Sequence, residues 1–146
     1  MKKLGILWLV SLLLLAGCST EDDGPEGIDD SSGLSFEEQM EVDGAILDEY
    51  LAERGIDALE HESGVRYVIT EEGEGETPTF NSTVVVDYEG RLLDGTAFDR
   101  AVGAQFQLSN VIVGWQIGMT LVQSGGSISL YIPSRLAYGA AGNLPT

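Results

Sequence analysis

Val86-Asp87-Tyr88-Glu89-Gly90, Leu93-Asp94-Gly95-Thr96-Ala97-Phe98-Asp99, Phe106-Gln107-Leu108, Val111-Ile112-Val113-Gly114-Trp115, Ile132-Pro133-Ser134 and Ala137-Tyr138-Gly139-Ala140 follow one another in the C-terminal part of the chain. Around them the apolar residues recur with period two. Val65, Tyr67 and Ile69 alternate with Arg66, Val68 and Thr70; Val84, Val86 and Tyr88 with Val85, Asp87 and Glu89; Ile128, Leu130 and Ile132 with Ser127, Ser129 and Tyr131. Alternation of this kind predicts strands with one buried face, near 65–71, 83–89, 105–108 and 127–132. Gly73-Glu74-Gly75, Asp94-Gly95 and Gly125-Gly126 punctuate them as turns. Trp115, Met119 and Val122 fall at i, i+4 and i+7, the stripe of a short helix. Strands around one short helix make an α+β domain.

In order and spacing the quoted pieces resemble the FKBP-type peptidyl-prolyl cis-trans isomerases, over about residues 63–146. Any one piece is a weak signal; six in register are a strong one. The resemblance implies an antiparallel sheet wrapped around one short helix, and an enzyme that accelerates rotation of X–Pro amides by binding the proline in an apolar pocket. It also implies partners: proline-containing polypeptides and inhibitory macrolides of the rapamycin type. A second reading on the same fold is a proline-binding chaperone or interaction module with weak turnover. A third makes the acidic N-terminal helix the main interaction surface.

The chemistry asks little of the protein. Resonance gives the amide a rotation barrier of about 18–20 kcal/mol. The planar amide is more charge-separated than the twisted one, so a dry apolar pocket disfavours the ground state relative to the transition state. No cofactor or metal is required. By resemblance, Trp115 is the pocket floor, and Tyr88, Phe98, Val111, Ile112 and Tyr138 are its walls. The Ile112 backbone N–H and the Tyr138 hydroxyl serve substrate carbonyls. Asp99 lies near the twisting carbonyl and holds Tyr88 or an arginine, for which Arg100 is the candidate. Phe106 reads as a core strand residue. Three departures from the family pattern stand out: the segment from Phe98 to Phe106 is short, Ala104 stands where some members place a pocket aromatic, and Asn143-Leu144-Pro145-Thr146 ends the chain where the family continues into an apolar strand. The final strand is therefore expected to be missing, leaving its neighbours' edges open.

The N-terminal third is of different character. Lys2 and Lys3 precede an apolar run, Ile6 to Ala16. That run is shorter than the about 20 residues needed to span a bilayer and suits a signal-peptide core. It ends Leu15-Ala16-Gly17-Cys18, which resembles a bacterial lipobox, with Cys18 as the acylated residue. Residues 1–17 read as a lipoprotein signal peptide outside the fold. Residues 18–34 carry Glu21, Asp22, Asp23, Glu26, Asp29 and Asp30 with no base, and read as an acidic disordered tether. The acids directly after Cys18 resemble an export signal of some Bacteroidetes lipoproteins. The expected location is the cell envelope, lipid-anchored at the outer membrane on its periplasmic face or at the surface. Residues 35–62 form a helical extension: Ser35 is the N-cap, Ile46, Leu47, Tyr50 and Leu51 the apolar stripe, and Gly55 the stop. The span 36–54 is one amphipathic helix, with a break near Gly44 as the alternative, either packed on the domain or pairing two copies of the chain.

Composition closes off several classes. The 146 residues carry 24 Asp+Glu against 7 Lys+Arg, a net charge of −17. Such a surface repels phosphate backbones, so nucleic acid is not an expected partner. One cysteine and one histidine, His61, leave no zinc cluster and no Ser-His-Asp machine.

Overall fold

Helix α1 covers Phe36–Glu53 and owes its start to a reciprocal cap. The Glu38 N–H donates to Ser35 Oγ (3.2 Å) while the Ser35 N–H donates to Glu38 Oε2 (2.9 Å). It ends on Arg54, where Gly55 takes a left-handed conformation (φ 63°). Gly55 N then donates to Ala52 O and Ile56 N to Leu51 O, which satisfies the last carbonyls. The helix does not break at Gly44. Gly44 lies against the Arg66 guanidinium, where a Cβ would make ordinary contact at 3.4 Å from Nη2.

The computed structural model describes residues 33–139 and, near the N-terminus, the backbone of Lys2–Lys3 (β1) and Gly5–Trp8 (β2). Beyond α1 follow β3 (Leu59–Glu60), β4 (Arg66–Glu71), β5 (Thr83–Arg91), β6 (Ala97–Gln107), helix α2 (Val113–Met119) and β7 (Ser127–Ile132). Short 3-10 turns precede α2 at Leu108–Asn110 and follow β7 at Ser134–Leu136. Two sheets result, in the orders β1-β5-β6 and β2-β7-β4-β3. Within residues 33–139 every pairing is antiparallel: β3 with β4, β4 with β7 and β5 with β6.

Near the N-terminus the described backbone adds one strand to each sheet. The structure pairs Gly5–Trp8 with β7 in parallel, Gly5 opposite Ser129 and Trp8 opposite Ile132, and Lys2–Lys3 with β5. These pairings give backbone N–H and C=O groups on that side of β5 and β7 their partners. Cys18, the tether residues before Gly33 and residues 140–146 lie outside the described residues.

The β7–β4 sheet is covered on both faces. Val65, Ile128, Leu130 and Ile132 are fully buried against Trp115, Met119 and Val122 from α2 and the turn after it. On the other face Leu47 and Leu51 of α1 pack on Tyr131 and Val68. Tyr131 and Arg66 fall on the polar side of the strand alternation, yet both are buried. Arg66 is held there by Asp48 (Nε–Oδ1 3.0 Å), Glu60 (3.3 Å) and the Gly64 carbonyl (2.6 Å). The apolar stripe of α1 is thus covered within the chain. Its exposed large apolar residues are Phe36 and Val42, among Glu37, Glu38, Glu41 and Glu49.

Candidate active site

Two irregularities in the β5/β6 ladder shape the site. Val86 pairs with Ala104 and Tyr88 with Ala101, so Asp87 faces two residues, Val102 and Gly103. Gly103 adopts φ 66° and donates its N–H to Asp87 Oδ1 at 2.7 Å, the geometry of a bulge that bends the strand. Further along, Gly90 pairs with Asp99 and Arg91 with Ala97, which leaves Phe98 as an extra residue. Between the bulges Tyr88 and Asp99 share one face, and the Tyr88 hydroxyl donates to Asp99 Oδ2 at 2.7 Å.

Beneath them lie three aromatic rings. Trp115 meets Tyr88 at 5.2 Å and 82°, and Phe106 at 5.5 Å and 83°; Tyr88 meets Phe106 at 5.8 Å and 62°. Edge-to-face contact of this kind suits the ring quadrupoles and locks all three in place. Ile112 caps α2, its carbonyl accepting from Trp115 N (3.0 Å) and Gln116 N (3.1 Å). The Gln116 side chain donates to the Val111 carbonyl at 2.8 Å and fixes the loop before the helix.

Together these elements enclose a cavity of about 250 Å³ lined by Tyr88, Asp99, Phe106, Asn110, Val111, Ile112, Trp115 and Tyr138. That is below the roughly 300–1,000 Å³ of pockets for drug-sized ligands, so it holds one small ring rather than a whole large ligand. Burial pushes the Tyr88 phenol up to about 12, with the hydrogen bond to Asp99 and its charge acting in the same direction. Burial, and then the charge of Asp99, also raise the Tyr138 phenol. Both are therefore neutral hydroxyls at physiological pH. Trp115 is nearly buried and its indole N–H has no hydrogen-bond partner among the described residues. None of the described His, Cys, Asp and Glu residues gather in a group of three that could hold a metal ion.

The structure brings six of the expected residues to this cavity: Tyr88, Asp99, Val111, Ile112, Trp115 and Tyr138. Phe98 and Arg100 are not among its lining residues. Phe98, the extra residue of its bulge, packs on the same core cluster as Tyr88, Phe106, Val111, Ile112 and Tyr138. Arg100 follows Asp99 on the strand, is exposed, and is not the partner of Asp99; Tyr88 is. Phe106, expected as plain core, forms part of the wall, and Asn110 was not foreseen. The signal for Phe106 was available: it pairs with Val84, and so shares the inward face of Val84 and Val86 that Tyr88 continues past the bulge.

The apolar aromatic cavity, floored by the short helix α2 against an antiparallel sheet, is of the class that binds a small apolar ring. The family model for FKBP-type peptidyl-prolyl cis-trans isomerase matches residues 74–146. A probable FKBP-type isomerase FkpA of Neisseria meningitidis serogroup B is 47% identical over 102 residues, 67% of this chain and 37% of the relative. The isomerase Mip of Coxiella burnetii is 43% identical over 84 residues, 55% of this chain and 36% of the relative. Among solved structures, an isomerase from Pseudomonas syringae pv. tomato aligns with TM-score 0.63 and 32% identity, over 80% of this chain and 84% of that one. FkpA from Escherichia coli aligns with TM-score 0.61 and 37% identity, over 73% of this chain and 55% of that one. The chain belongs to the FKBP-type peptidyl-prolyl cis-trans isomerase family, and it spans little more than a third of the length of these two curated relatives.

Proposed function

We propose that this chain is a peptidyl-prolyl cis-trans isomerase that accelerates X–Pro rotation in exported polypeptides. The observation that carries the reading is the cavity itself: three interlocked aromatic rings, aliphatic loop residues, and a single carboxylate, Asp99, that already accepts a hydrogen bond from the Tyr88 hydroxyl. The proline ring sits over Trp115, where water is excluded and the charge-separated planar amide loses its solvation. The Tyr138 hydroxyl and the Ile112 N–H hold the flanking carbonyls, so the peptide stays fixed while one amide turns. Ala104, with no ring to add to the wall, and the short segment from Phe98 to Phe106 favour a second reading, a proline-binding module with slow turnover.

A tetrapeptide carrying one X–Pro bond decides between them, with a rapamycin-type macrolide as the control. Uncatalysed exchange takes roughly tens to hundreds of seconds; the enzyme shortens it and the macrolide abolishes the gain. The rate is expected to be constant between about pH 6 and 8, because the cavity has no histidine or cysteine to titrate there. Alkaline loss is expected only later. A raised phenol favours the folded state fully below its unfolded pKa of 10.0, and that contribution disappears as pH climbs toward about 12. A steep change near pH 6.5, or loss of activity with a chelator, would contradict the mechanism.

The location proposed is the cell envelope, through a lipid on Cys18 in the manner of Bacteroidetes lipoproteins. Its support is the order of charge, apolar run, small residues and cysteine at positions 2–18. A Cys18→Ser chain is expected to leave the detergent phase and to keep residues 1–17. Partitioning like the parent, or a mature parent that retains residues 5–8 beside β7, would refute the anchor.

A further inference from the structure

We propose that Asp43, on the helix preceding the isomerase motifs, is a positioning residue for Tyr138; the functional part of this rests on the isomerase reading. All four buried polar or charged side chains of the core, Gln39, Asp43, Arg66 and Ser134, lie where α1 meets the rest of the chain. Asp43 is 2% exposed. Its Oδ2 accepts from both the backbone N–H and the hydroxyl of Ser134, each at 2.6 Å, and its Oδ1 accepts from Gln39 Nε2 at 2.8 Å. A carboxylate bound at three points in the interior is a charge-assisted anchor, and the residue it anchors opens the turn that carries Tyr138.

The connection continues through the backbone. The Ser134 carbonyl accepts from Ala137 N (3.0 Å) and Gly139 N (2.8 Å), the residues on either side of Tyr138. Gly139 takes φ 80° to close this loop. Next to Ser134, Arg135 Nη2 donates to the Leu34 carbonyl at 3.0 Å, just ahead of the helix cap. The turn holding a cavity wall is thus clamped from two points, Asp43 within α1 and the Leu34 carbonyl ahead of it. A second clamp, Asp48 on Arg66, ties α1 to β4 without touching this turn.

The experiment uses the full chain with fluorotyrosine incorporated, the Tyr138 resonance being assigned by its loss in Tyr138→Phe. In Asp43→Ala the Tyr138 fluorine resonance is expected to move and kcat/KM to fall about tenfold, the factor that one charge-assisted hydrogen bond is worth. In Asp43→Asn, whose amide offers one acceptor to Ser134 and one donor to Gln39, both are expected to return toward the parent. Asp48→Ala should leave the resonance in place while lowering the melting temperature. On the Tyr138→Phe background Asp43→Ala should cost little further activity. If Asp43→Ala does not fold, Ser134→Ala takes its place. An unmoved resonance with additive activity losses overturns the inference. A parent that shows no turnover overturns the isomerase reading instead, and the resonance alone then decides whether Asp43 places Tyr138.

Discussion

Trp115→Ala is expected to abolish most of the isomerase activity and to destabilise the domain at the same time. Trp115 is 4% exposed and touches both Tyr88 and Phe106 edge to face. Truncating a buried tryptophan costs about 3–5 kcal/mol, a large part of the roughly 5–15 kcal/mol that holds a domain together. The vacated floor admits water beneath the proline site, which restores solvation to the planar amide and removes the reason for catalysis. Trp115→Phe separates the two effects. It keeps an aromatic floor and deletes the indole N–H that lacks a partner, a group whose burial costs about 1–3 kcal/mol. Its stability should therefore change little and most of its activity should survive. His61 serves as the control: it bonds to Ser63 by a β3–β4 connection, away from the cavity. Assayed where circular dichroism shows folded protein, Trp115→Ala should lose more than tenfold (about 1.4 kcal/mol) and His61→Ala nothing measurable. Equal losses in the two variants would defeat the assignment of the floor.

Most of this site could be read from the order of residues, and what could not has identifiable causes. Strand alternation marks one face of β4, β5 and β7 correctly, because the α2 side of the sheet is buried by local pattern alone. It fails at Arg66 and Tyr131, whose burial depends on a helix from elsewhere in the chain folding over the opposite face. The period-two rule also fails wherever the ladder holds an extra residue. Phe98 is the extra residue at one bulge, a placement that alternation cannot give; Phe106 was expected in the core, and the other bulge brings Tyr88 beside it to make a wall. A bulge of this kind leaves little trace in sequence beyond Gly103. The Asp43–Ser134 bond is invisible for another reason. It joins residues 91 apart, and a lone buried acid in an acidic helix looks like its solvated neighbours until the partner is placed.

Gly118→Ala should be nearly as damaging as removing the tryptophan, although it adds a single methyl group to a helix. Helix propensity argues the other way, since alanine is better than glycine by about 1 kcal/mol in a helix interior. Packing decides against it. A Cβ at Gly118 would fall on both δ carbons of Leu130 and 2.9 Å from its Cγ. Four residues earlier on the same face, a Cβ at Gly114 would meet Ile132, with Cδ1 at 2.7 Å and Cγ1 at 2.9 Å. Leu130 and Ile132 are 0% exposed on β7, so neither can swing into open space. Something must shift, and overpacking of a filled core costs about 1–3 kcal/mol and occasionally more, which exceeds the propensity gain. The element free to move is α2, and Trp115 lies between the two glycines. Lifting the helix off β7 raises the pocket floor, so activity should fall at temperatures where the domain is still folded. Leu130→Val removes the two δ carbons, the atoms that collide most closely. The double variant should then be more stable than the sum of the two single losses predicts, by about 0.5–3 kcal/mol of coupling between residues in contact. Thermal melts of the four proteins give this cycle directly. A Gly118→Ala variant that melts above the parent, with unchanged turnover, would show that α2 is not seated on β7 through these glycines.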